Sequence, residues 1–91
     1  MVFTVYVLSN PQGRIYIGQT SDLPRRIVEH NTPEHNIRKH TSRIAGPWSL
    51  AYSEVFSTRS GAMRRERELK SGQGRQWLSE LLGRASPPEA D

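Results

Sequence analysis

The sequence predicts an α+β domain: a small three-stranded, mainly antiparallel sheet flanked by helices, in the order β-β-α-β-α-α. Three observations lead there. Two short runs rich in β-branched and aromatic residues flank a turn near the amino terminus. A third such run, Trp48 to Phe56, stands alone in the middle of the chain. Segments with helix-capping residues follow the second and the third run.

Phe3 to Leu8 reads as the first strand and Arg14 to Gln19 as the second, with Asn10-Pro11-Gln12-Gly13 supplying the turn. With a loop of Asn10 to Gln12, Tyr6 and Tyr16 would stand opposite each other on one face. A one-residue slip would part them. Thr20-Ser21-Asp22 offers caps and Pro24 suits a first helical turn, so a helix is predicted from Leu23 to His30. Leu23 and Ile27 share one of its faces, and Arg26 and His30 a neighbouring one. Residues 31–46 are polar and read as a long loop. In the third strand the large side chains at 48, 50, 52 and 56 fall on one period-2 face. A helix from about Ser60 to Lys70, capped by the Ser57 to Ser60 stretch and closed by Gly72, comes next. The last helix is predicted from Gln76 to Leu82, with Trp77, Leu78, Leu81 and Leu82 as its apolar stripe and Gly83 as its stop. Residues 1–83 would form one domain and 84–91, with Pro87-Pro88, a flexible tail.

At 91 residues, one core is all the chain can build. Lys and Arg number 13 against 9 Asp and Glu, a net charge of +4 that favours polyanions, nucleic acid first. There is no cysteine, which excludes disulfides, thiol catalysis and thiolate zinc sites. No run approaches the roughly 20 apolar residues of a membrane span. A cytoplasmic protein, monomeric and without a membrane partner, is expected.

Several residues could carry chemistry. Glu66 shares a helical stripe with Ala62 and Leu69, four residues after the one and three before the other. A carboxylate there either pairs with an arginine at the helix edge or holds a metal, and a hard oxygen ligand suits Mg²⁺ or Mn²⁺. Its neighbour Glu68 should face solvent. Arg26 could offset charge developing on a phosphoryl group, and His30, one turn on, could move a proton. Both would also fit an ordinary solvated helix face. Tyr6 and Tyr16 are either core aromatics or phenols at a site. In the second case a phenol needs a nearby cation or metal to act as a base near neutrality. Arg38, Lys39, His40, Thr41 and Arg43 are candidate nucleic-acid contacts, or else a solvated loop.

Taken together, Tyr6, Tyr16-Ile17-Gly18, Arg26, His30 and Glu66 resemble the GIY-YIG nuclease family. The second motif is intact, whereas Thr4-Val5-Tyr6 keeps only the tyrosine of the first. Tyr16 to Arg26, Gly46 to Tyr52 and Ala62 to Glu66 look like its small single-domain bacterial branch, related to the N-terminal domain of the excision-repair incision subunit. The likeness spans about Thr4 to Leu82. It implies a divalent-metal-dependent DNA endonuclease acting on branched, flapped or single-stranded DNA in repair or recombination. A nucleic-acid-binding module of the same fold with little or no activity is the other reading. By this resemblance Glu66 would bind Mg²⁺ or Mn²⁺, Tyr6 would help activate water, and Tyr16 would position that water or bind phosphate. Arg26 would stabilise transition-state charge, His30 would assist proton transfer or bind phosphate, and Gly18, a candidate nucleic-acid contact, would let the backbone pass close to the site. Larger members often add an asparagine beyond the glutamate helix. This chain has none there, although Gln73 and Gln76 occupy that region.

Overall fold

The computed structural model describes residues 1–32 and 47–83. The candidate contacts Arg38, Lys39, His40, Thr41 and Arg43 and the tail expected over 84–91 lie outside the described residues. Among the described residues six elements follow in the predicted order: β1 (Phe3–Ser9), β2 (Ile15–Thr20), α1 (Leu23–His30), β3 (Ser49–Phe56), α2 (Arg59–Lys70) and α3 (Gly72–Leu81). The strands form one antiparallel sheet in the order β2-β1-β3.

Asn10 makes the hairpin. Its side-chain Oδ1 accepts from the backbone N–H groups of Gln12 (3.1 Å) and Arg14 (2.8 Å), which ties the turn into one shape. Ile15 pairs with Ser9, so the connection runs from Asn10 to Arg14 and is longer than the expected Asn10 to Gln12. Tyr6 therefore faces Gly18, and Tyr16 faces Leu8. This corrects the expected direct opposition of the two tyrosines. The register moves by two residues, an even step, so both phenols stay on one face and become diagonal neighbours.

As the central strand, β1 is covered on both sides, and Val5, Tyr6, Val7 and Leu8 are all buried. Val5 and Val7 join Ile15 and Ile17 beneath Ala62 and Leu69 of α2 and Leu78 of α3. On the other side Tyr6, Leu8 and Trp48 meet Tyr16 and the Leu23 and Ile27 stripe of α1. The sheet thus lies between an α2/α3 layer and an α1 layer.

A bulge changes the face of the third strand. Val7 pairs with Tyr52 but Leu8 with Leu50, so an extra β3 residue is accommodated opposite the Val7–Leu8 step. Tyr52 and Phe56 pack on the α2/α3 side, whereas Trp48 packs on the α1 side. The predicted single face of residues 48, 50, 52 and 56 is split, because period-2 reasoning assumes an unbroken ladder.

Local caps set the helix ends. The Asp22 carboxylate accepts from the Arg25 N–H at 3.2 Å, and the Thr58 hydroxyl from the Gly61 N–H at 3.1 Å. Ser71 closes α2 and opens α3: its Oγ donates to the Glu68 carbonyl (2.6 Å) and accepts from the Gly74 N–H (3.1 Å). Gly72 is therefore not the stop predicted for α2 but the first residue of α3, which begins earlier than expected. Gly83 does end α3, with φ at +71°. The apolar stripe of α3 is narrower than predicted, since Leu78 is fully buried while Trp77 and Leu81 are exposed.

Candidate active site

Strand alternation points Tyr6 and Tyr16 from β1 and β2 toward the layer in which α1 lies, and the last turn of α1 brings His30 over them. Tyr6 is 1% and His30 4% exposed. The Tyr6 hydroxyl and His30 Nε2 are 3.0 Å apart, and Arg26 Nε donates to the same hydroxyl at 3.3 Å. The rings of Tyr6 and Tyr16 stack with centroids 6.1 Å apart, and the Tyr16 and His30 centroids lie 4.4 Å apart. Four of the predicted residues, Tyr6, Tyr16, Arg26 and His30, are thus one contiguous cluster.

Gly18 enables it. A Cβ at that position would stand 2.7 Å from the Tyr6 hydroxyl oxygen and 2.9 Å from its Cζ. The Tyr6 phenol lies in the space a side chain would need, so the intact Tyr16-Ile17-Gly18 motif leaves room for a ring as well as supplying one.

The phenol is held protonated. Burial pushes the Tyr6 pKa up to about 12, against the lowering effect of Arg26; the charges of Tyr16 and Glu66 add to the rise. For Arg26, desolvation works to lower the pKa, but the contacts with Tyr6 and Glu29 outweigh it and the net shift is upward. The guanidinium is a fixed cation at the phenol oxygen. Arg26 Nη1 also donates to Glu29 at 3.0 Å, and Arg25 reaches the same carboxylate at 3.4 Å. Glu29 was overlooked in the sequence, although its spacing of three from Arg26 and four from Arg25 marks it as a partner of both.

Asn31 was overlooked too. Its Oδ1 accepts from the Trp48 N–H at 2.7 Å and its Nδ2 donates to the Trp48 carbonyl at 2.9 Å. The residue after His30 is thereby clamped to the residue entering β3, and Trp48 is seated against Tyr6 and Leu8. No sequence signal joins residues 17 apart in this way.

Glu66 does sit between the buried Ala62 and Leu69 on α2, and 24% of its side chain is exposed. Among the described residues its carboxylate pairs with Lys70 at 3.0 Å, one turn on, and not with an arginine. It makes no hydrogen bond to the phenols among the described residues, but its charge is felt at Tyr6. Glu68 is exposed as predicted and pairs with Arg65. Among the described residues no group of three His, Cys, Asp or Glu side chains could hold a metal. Gln73 and Gln76 stay outside the Tyr6 cluster: Gln73 lines a groove at the α2–α3 junction and Gln76 bonds Glu80. No helix among the described residues is long and apolar enough to cross a membrane.

An α+β domain with stacked phenols, a histidine and an arginine converging on one hydroxyl has the form of a nuclease-type catalytic domain. Residues 2–77 match the GIY-YIG catalytic domain, and the chain belongs to the GIY-YIG family. Its relatives are small single-domain proteins called UPF0213. One from Staphylococcus saprophyticus is 36% identical over 67 residues, covering 74% of this chain and 78% of that one. Another, from Natronomonas pharaonis, is 42% identical over 67 residues, 74% and 75% of the two chains. The solution NMR structure of a UPF0213 protein from Bacillus halodurans is also similar, with a TM-score of 0.53 and 34% identity over 89% of this chain and 85% of that one. A domain of this type implies a nucleic-acid substrate, and its nucleases generally depend on a divalent metal.

Proposed function

We propose that the chain is a divalent-metal-dependent endonuclease that hydrolyses DNA phosphodiester bonds, on branched, flapped or single-stranded DNA, in repair or recombination. The observation that carries this reading is the Tyr6 hydroxyl, bonded both to His30 Nε2 and to Arg26 Nε inside a domain of the nuclease family. A buried phenol with a pKa of about 12 is a poor base alone. With His30 to receive its proton it becomes a relay. The attacking water gives a proton to the Tyr6 oxygen as the phenol proton passes to His30 Nε2, so no free phenolate forms. Arg26 offsets the charge that develops on the phosphoryl oxygens. Tyr16, whose ring lies beside those of both Tyr6 and His30, positions the water or the phosphate.

The donor set fits a metal bound largely by its substrate. One carboxylate, Glu66, whose charge reaches Tyr6, suits Mg²⁺ or Mn²⁺ that keeps waters and takes phosphate oxygens for the rest of its shell. Such an ion would polarise the scissile phosphate and stabilise the leaving oxygen. Lys70 would give up its ion pair with Glu66, an exchange that costs little at a partly exposed site. A cytoplasmic monomer suits this function.

The Lys70 pairing and the absence of a metal-holding group of three acidic or histidine side chains among the described residues favour a second reading, a binding module of the same fold with weak or no activity. Labelled single-stranded, duplex and flap DNA, incubated with Mg²⁺, Mn²⁺ or EDTA, separates the two. Cleavage is expected to vanish in EDTA and in Glu66→Ala, while that variant binds DNA as well as or better than wild type because a negative charge is gone. Cutting by Glu66→Ala at the wild-type rate would remove Glu66 from the metal site. Binding without cutting under every metal condition would establish the binding module.

A further inference from the structure

On the layer opposite the phenols, the end of α2 and the start of α3 enclose a groove of about 310 Å³, at the small end of the roughly 300–1,000 Å³ of ligand sites. Trp77, Arg65, Glu68, Ser71 and Gln73 are among the residues that line it. Trp77 is 39% exposed, and its ring has two neighbours. Tyr52 meets it edge-on with centroids 5.4 Å apart, and the Arg65 guanidinium lies 5.1 Å from its centre. The junction beneath is tightly packed: Gly74 lies so close to the Glu68 carbonyl and Leu69 Cα that no side chain would fit.

The charge pattern selects the ligand. Arg65 spends its nitrogens on carboxylates: Nε and Nη2 on Glu54 at 3.0 Å, Nη1 on Glu68 at 3.2 Å. A free phosphate would find that cation neutralised and Glu68 beside it. A flat, uncharged ring with polar edges suits the groove better: an indole to stack on, with a carboxylate, a hydroxyl and an amide around the rim.

We propose that this groove holds an unpaired nucleobase of the bound strand, stacked against Trp77. The assignment rests on the nuclease reading for its supply of strand, since a chain that cuts nucleic acid at the phenols has more of the polymer at hand. Because the groove and the phenols lie on opposite sides of the sheet, the base it holds is not one that rests against Tyr6 and Tyr16. It belongs to a single-stranded arm passing around the domain. Stacking is indifferent to sequence, so the groove favours substrates with an unpaired arm over continuous duplex.

The chain has two tryptophans, and Trp48 is buried at 3% exposure, so their indole N–H resonances separate the groove from the rest of the fold. The full chain in EDTA is titrated with a short oligodeoxythymidylate and followed by NMR. The Trp77 indole is expected to shift and the Trp48 indole to stay. An oligomer of abasic sites with the same phosphates should leave Trp77 where it was. Trp77→Leu should lose about 5- to 150-fold in affinity for oligodeoxythymidylate, and Trp77→Phe, which keeps a ring, should recover most of it. An unmoved Trp77 at saturating oligomer, or an equal shift with the abasic oligomer, overturns the proposal whatever the variants do. Cleavage on restoring Mg²⁺ is scored separately. Cutting with Trp77 unmoved removes the groove and leaves the nuclease, whereas a Trp77 shift without cutting keeps the groove and removes the nuclease.

Discussion

Tyr6 is where the competing forces in this molecule meet. Desolvation raises its pKa to about 12, while Arg26 pulls it down without prevailing. In the unfolded chain the same phenol titrates near about 10. Between those two values the native state keeps a proton that the unfolded state has lost. Its contribution to stability is therefore complete below about pH 10 and disappears as the pH climbs to about 12. Thermal unfolding across that window should show the melting temperature of wild type falling more steeply than that of Tyr6→Phe; parallel curves would mean that the phenol is not desolvated. The same substitution removes the relay between water and His30. Turnover is expected to drop by roughly 10²- to 10⁴-fold with DNA affinity nearly unchanged, as read by single-turnover cleavage and by binding in EDTA. Wild-type turnover in Tyr6→Phe would transfer the water to Tyr16. Tyr6, Tyr16, Arg26 and His30 stood out in the sequence through the family likeness, whereas strand alternation and helical spacing, being local, foretold only which of them share a face. Gly18 was legible as a motif residue but not for its reason, since only the register reveals that Tyr6 occupies its side-chain space.

At the scale of elements, the α2–α3 junction sets two glycines against each other. A methyl at Gly74 would strike the Glu68 carbonyl oxygen and Leu69 Cα, backbone atoms that cannot turn aside. One at Gly72 would meet nothing within 4 Å. Gly74→Ala is expected to cost about 1–3 kcal/mol or more. Gly72→Ala should be neutral or gain up to about 1 kcal/mol, because alanine is the better helix former. Urea unfolding of the two variants checks the difference, and equal midpoints would contradict the close approach. The sequence presents both as breakers after a charged helix, and it was Gly72 that read as the stop. Which glycine matters depends on how the two helices cross. The bulge in β3 was hidden for the same kind of reason. Trp48 to Phe56 alternates well enough as a string, but its partner β1 requires one residue to be left over, and Trp48 and Tyr52 end on opposite faces.

For the molecule as a whole, the excess of 13 cationic over 9 acidic residues governs how it meets a polyanion. Phosphate contacts release counterions, so affinity falls with salt in proportion to the phosphates neutralised. For two to four such contacts, binding to a duplex of arbitrary sequence should weaken by about 10- to 150-fold between 50 and 200 mM salt, measured by fluorescence anisotropy in EDTA. A flat salt response would argue against phosphate contact as the source of affinity. The two layers divide the labour proposed for the domain: phenols, histidine and arginine on the α1 side, an aromatic groove on the α2/α3 side, and Glu66 of α2 as the proposed metal ligand whose charge acts on Tyr6.

The sequence by itself determined the element order, the fold class and most helix caps, because β-branching, turn chemistry and capping act over a few residues; the candidate site it offered only through the likeness of its motifs to a family. Tertiary structure alone decided the hairpin register, the bulge, the Asn31 clamp on Trp48 and the convergence of Arg26 and His30 on one phenol oxygen. Those outcomes depend on where two distant stretches of backbone come to rest against each other, and packing of a shared core, rather than any local preference, fixes that distance.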